Sequence, residues 1–80
     1  VRSNEVMIKA VLKVTEGYRS LVRAFRASKE KKWDSVVKLS CDAFFLGDQA
    51  KRAAPNAATL ANQLQAYAKS FADQARREMK

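Results

Sequence analysis

Eighty residues, 48% hydrophobic and 30% charged, make one small folded domain spanning residues 1–80, and Val1 in place of Met points to a piece of a longer chain. The absence of histidine excludes His-based acid–base catalysis, His-containing zinc sites and Ser–His or Cys–His nucleophiles, and a single cysteine excludes an intrachain disulfide. Two glycines and one proline are too few for an all-β chain, and a net charge of +8 directs attention to acidic or phosphate-bearing partners.

The first helix is predicted over residues 4–27. Ser3 is its expected N-cap, and Glu5 suits the positive end of the helix dipole. Met7, Val11, Val14, Tyr18, Leu21 and Phe25 recur at steps of four and three, an a/d stripe held for about three heptads. Ala10, Gly17 and Ala24 form a shoulder of small residues beside it. Ser28 to Lys32 contains no large apolar side chain and reads as the connection between antiparallel neighbours, although Lys and Glu are good helix formers.

The second helix is predicted over residues 33–53. Val36, Leu39, Ala43, Leu46, Ala50 and Ala54 form one stripe, and Trp33, Val37 and Phe44 a second. Together they cover about half the circumference, so this helix is expected to lie centrally and touch both others. Ser40, Ala43, Gly47 and Ala50 are small and allow close approach along one line.

Pro55 disfavours helix at Ala54, and Asn56 is the expected cap of a third helix over residues 57–79. Its stripe is Ala57, Leu60, Leu64, Tyr67, Phe71, Ala75 and Met79, with Ala61, Ala68 and Ala72 beside it. Acid-first pairs at helical spacing, Glu5–Lys9, Asp34–Lys38, Asp48–Arg52 and Asp73–Arg77, with Glu16–Arg19, agree with the helical reading. The fold predicted is all-α, an antiparallel three-helix bundle with the second helix central.

No apolar run approaches the ~18 residues of a membrane span, and no apolar leader segment of ~7–15 residues stands at the start. An intracellular, cytoplasmic setting is the expectation. The chain offers no catalytic carboxylate pair, no phosphate-cradling glycine loop and no metal-ligand set, so no catalytic, cofactor or metal site is assigned and an enzyme is not expected. Cys41, beside Asp42 in a chain without histidine, reads as a packed, inert thiol.

Positive charge is concentrated early. Residues 1–32 hold nine Lys/Arg against three Glu, residues 33–54 are balanced, and residues 55–80 hold four against two. Arg19, Arg23 and Arg26 share one helical face and are expected to steer an acidic protein segment. Lys9, Lys13, Lys29, Lys31 and Lys32 are the candidate nucleic-acid contacts, although no aromatic is interleaved with them to stack on bases. A merely solvated basic face is the plain alternative. Phe45 lies opposite the Val36–Ala43 stripe and is either a partner-binding aromatic or part of a core closed on all sides. Trp33 is read as a lid over the core or a second binding aromatic.

Ala24, Lys32, Trp33, Val36, Leu39, Ala43 and Phe44 resemble the helical-hairpin spacing of tetratricopeptide units and of microtubule-interacting-and-trafficking domains, over about a quarter of the chain. Both families place an aromatic at the start of the second helix and small residues three and ten positions later. Here Val36 replaces the usual alanine, and Ser40 stands where an aromatic is common. The resemblance implies a hairpin and peptide binding.

The functional expectation is a non-enzymatic adaptor that holds an apolar partner helix in an inter-helix groove or on the Phe45 face. Electrostatic RNA or DNA binding through the first helix is the alternative, and a self-associating structural unit, a homo-oligomer, the third reading.

Overall fold

The computed structural model describes residues 2–80, with side chains from Asn4 onward. Helix α1 spans Arg2–Lys29, α2 Trp33–Ala53 and α3 Ala58–Glu78, with a single 3-10 turn at Pro55–Ala57 between the last two. No strand occurs among the described residues. The bundle is a slender rod of 48 × 16 × 13 Å. Helix α2 packs extensively against both neighbours, while α1 and α3 meet along a narrower seam. The expected three-helix bundle with α2 central is present.

The break after α1 is made by hydrogen bonding rather than by a breaker residue. The Lys32 amide donates to the Ala27 carbonyl (2.9 Å) and the Lys31 amide to that of Ser28 (3.1 Å), the nested pair that ends many helices. That pair requires a left-handed residue, and Lys31 supplies it with φ of 59°. Helix α1 therefore ends two residues later than expected. It also includes Ser3, so this residue does not cap it, and the Ser3 side chain lies outside the described residues.

The second boundary follows Pro55. Ala54 adopts φ −147° and ψ 102°, the extended backbone a following proline favours. Asn56 sits inside the 3-10 turn instead of capping α3, whose N-cap is Ala57, without a side-chain hydrogen bond.

The core is built from small residues. Ala10, Ala24, Ala43, Ala50, Ala57, Ala61 and Ala75 are completely buried, whereas Val36 and Leu64 are the largest apolar side chains so enclosed. Val14 and Leu21 of the expected α1 stripe are also buried, but Met7 and Tyr18 are half-buried, and Val11 and Phe25 are exposed. The small shoulder Ala10, Gly17 and Ala24 goes inside instead, so the buried arc is turned by roughly a sixth of a revolution from the a/d stripe at 100° per residue. Helix α3 also encloses its small residues, with the buried arc turned in the opposite sense. Ala61, Ala68 and Ala72 are buried while Leu60, Tyr67 and Met79 are exposed.

Close approach explains the rotation. A Cβ at Gly17 would overlap Leu64 Cδ2, and a Cβ at Gly47 would lie 2.8 Å from Gln65 Cγ. Helices this close leave little room between them for larger side chains, which are displaced to the flanks.

Of the anticipated ion pairs, Asp48–Arg52 forms at 3.0 Å. Asp73 pairs with Lys69 and Arg76, each at 3.6 Å, in place of Arg77. The Glu5–Lys9, Glu16–Arg19 and Asp34–Lys38 pairs are not formed among the described residues. Exposed pairs of this kind contribute little, and the fold does not depend on them.

Candidate functional site

Phe45 projects from the middle of α2, on the side opposite the buried Val36–Ala43 line, and is 60% exposed. Of its two sequence readings, the closed core is thereby excluded. It stands on a ridge between two surface grooves. The groove toward α1 is walled by Arg19 and Arg23 on one side and Phe45 and Leu46 on the other, with Glu16 and Asp42 also at its margin. The Ser20 hydroxyl donates to the Leu39 carbonyl across this interface (3.1 Å) and sets the level at which α1 faces α2. The groove toward α3 is more apolar, with Phe44 and Phe45 facing Ala68 and Ala72, and Lys69 and Arg76 at its rim.

Arg19 and Arg23 therefore do share a site with Phe45, and neither is in an ion pair among the described residues. Arg26 is exposed but does not line that groove. Trp33 is not brought to Phe45. Twelve residues of α2 separate them, about 18 Å at 1.5 Å per residue. Trp33 is half-buried and packs on the cluster of Ala24, Ala27, Val36 and Ala75, which is its lid reading.

The five lysines do not form one patch. Lys9 and Lys13 lie near the start of α1, and Lys29, Lys31 and Lys32 at its far end, about 30 Å away along the helix. Lys32 pairs with Glu30 at 3.6 Å, Lys29 lies 4.9 Å from the Phe25 ring centroid, and Lys13 is half-buried.

Cys41 is exposed, which corrects the packed-thiol expectation. The buried arc of α2 is narrower than its apolar arc, because only the Val36, Ser40, Ala43, Gly47 and Ala50 line is enclosed. Among the described residues no cluster of His, Cys, Asp or Glu is placed to hold a metal ion, and no helix is long and apolar enough to cross a membrane.

A further surface was not anticipated. Tyr18 and Tyr67 meet edge to face across the α1–α3 seam, with ring centroids 6.3 Å apart, and exposed Val11, Val22, Phe25 and Leu60 belong to the same two helices. Its signal in the sequence is the competition between a large-residue stripe and a small-residue shoulder on one helix, in which the shoulder is enclosed.

No protein-family model, curated protein or solved structure matches the chain. The resemblance to tetratricopeptide and microtubule-interacting-and-trafficking hairpins rests on the Ala24-to-Phe44 spacing alone.

Proposed function

We propose that this chain is a non-enzymatic helical interaction module, an adaptor that seats an apolar partner helix against Phe45 while Arg19 and Arg23 engage acidic side chains of that partner. One observation carries the reading: Phe45 is the most exposed large apolar side chain described, and it shares a groove with two arginines not in ion pairs. Exposed aromatics with charged rims are the usual anchors of protein interfaces. Arg26 adds positive charge farther along the same helix and contributes to long-range steering.

The test is capture from lysate on the immobilised chain, with and without nuclease. A partner retained after nuclease and lost with both Phe45→Ser and Arg19→Glu/Arg23→Glu supports the proposal. Loss of the captured material on nuclease treatment instead establishes nucleic-acid binding by the basic residues. Light scattering over a concentration series decides the self-associating reading, since a monomer at every concentration rejects it.

A further inference from the structure

We infer that the α1–α3 seam is the seat of a fourth helix, supplied by a partner segment that is apolar along one stripe and acidic along the edge that meets α1. This inference stands apart from the Phe45 reading, because the apolar residues of the seam are others and only Arg26 is common to both.

The two helices run in the same direction, since each is antiparallel to α2. Gly17 packs on Leu64, and Tyr18 meets Tyr67 edge to face. The register of the tyrosine pair, continued along both helices, places Val11 level with Leu60 and Val22 level with Phe71. The seam thus carries three apolar levels. Val11, Val22, Leu60 and Tyr67 are all exposed there, Tyr67 by 58%. From Val11 to Phe25 the stripe runs about 21 Å, four turns of helix. Tyrosine suits such a place, with an apolar ring for the partner's side chains and a hydroxyl that reaches water. Antiparallel addition of one helix to this seam would turn the three-helix array into a four-helix bundle, in which a/d-type residues of all members are enclosed.

The charge of the seam selects the occupant. Its α1 edge carries Arg26, and Lys29 lies over Phe25 at its end (4.9 Å to the ring centroid). Neither is in an ion pair among the described residues. The α3 edge offers Gln63, Ser70 and Gln74, which are uncharged, and carries charge only in its last turn, at Arg77 and Glu78. A partner helix with Glu or Asp along one border meets Arg26 and Lys29 on α1 and, over most of its length, uncharged polar side chains on α3, so charge selects its acidic border. A second copy fits poorly, because it brings the same cations and another net charge of +8 to the contact.

The test uses the full chain and two synthetic 21-residue amphipathic helices. Both have leucine at the a and d positions. One has glutamate and the other lysine at e and g. Fluorescence anisotropy of labelled peptide is the readout. The glutamate peptide is expected to bind at least tenfold more tightly than the lysine peptide. Measured in a Phe45→Ser background, which removes the separate site on α2, Tyr67→Gln and Arg26→Glu, with far-UV circular dichroism showing the fold intact, should each weaken it at least fivefold. Equal binding of the two peptides, no binding, or insensitivity to Tyr67→Gln overturns the inference. So does a concentration-dependent dimer, or adsorption to anionic vesicles, that Tyr67→Gln abolishes, since either assigns the seam to a second copy or to a lipid surface.

Discussion

Gln65 of α3 is packed onto Gly47 of α2. Its amide donates to the Phe44 carbonyl at 3.0 Å, and a methyl group at position 47 would stand 2.8 Å from its Cγ and 3.3 Å from the Ala61 carbonyl oxygen. The glycine's absent side chain and the glutamine's hydrogen bond are one arrangement: only with α2 this close does the Gln65 amide reach backbone on its neighbour.

Gly47→Ala is therefore expected to destabilise the fold. Helix propensity favours alanine by about 1 kcal/mol, but overpacking a close contact costs about 1–3 kcal/mol. The net loss of about 1 kcal/mol lowers Tm by roughly 4–8 °C in a domain of this size. Gln65→Ala loses a part-buried hydrogen bond of about 1 kcal/mol. In the double variant the small side chain at 65 makes room for the new methyl, so the combined loss should fall short of the sum by more than about 0.5 kcal/mol. Denaturant melts of the four proteins check this, and strict additivity would falsify the coupling.

Lys31→Gly should stabilise the chain. Lys31 occupies a left-handed conformation at φ 59°, which costs an L-residue with a Cβ about 1–2 kcal/mol relative to glycine. Part of the gain is lost to the freer unfolded chain, leaving an increase of about 0.5–1 kcal/mol. A midpoint unchanged or lowered in urea would mean that the connection does not hold this geometry.

Ser40→Ala is a second stabilising change. The Ser40 hydroxyl oxygen is buried without a hydrogen-bond partner, in a side chain only 1% exposed. An unsatisfied buried polar group costs about 1–3 kcal/mol, and alanine removes it while keeping the close packing of α2. A rise in Tm is expected in differential scanning calorimetry, and a fall would show that the hydroxyl is satisfied in solution.

Cys41 should react as a free thiol in the native protein. It is exposed on the outer side of α2, beside the Phe44–Phe45 groove. An aromatic disulfide reagent is expected to modify one thiol per chain as readily before denaturation as after. Without reductant, a covalent dimer should accumulate on a non-reducing gel. Reaction only upon unfolding would place the thiol inside.

Much of the fold was legible because it depends on local chemistry. The α2 limits at Trp33 and Ala53 coincide with the start of its stripes and the reach of Pro55. The stop at Lys31 was less legible, since no glycine or proline marks it and the turn is made by backbone hydrogen bonds. At the candidate site, the exposure of Phe45 was one of two readings left open by a helix apolar on several sides. The grouping of Arg19 and Arg23 with Phe45 depended on how α1 docks, which the Ser20–Leu39 hydrogen bond reports. Trp33 was paired with Phe45 by residue type and is separated from it by distance along the helix.

Periodicity and composition by themselves determined that there are three helices, roughly where each begins and ends, which one lies in the middle, and that the leading helix is basic. Those properties follow from the spacing of residues along a single strand of backbone. Only the packed bundle decided which side of each helix was enclosed. Alanine and glycine lines let the helices come so close that the larger side chains, Val11, Tyr67 and Phe45 among them, were left on the outside, and that choice depends on distances between helices that no one helix contains.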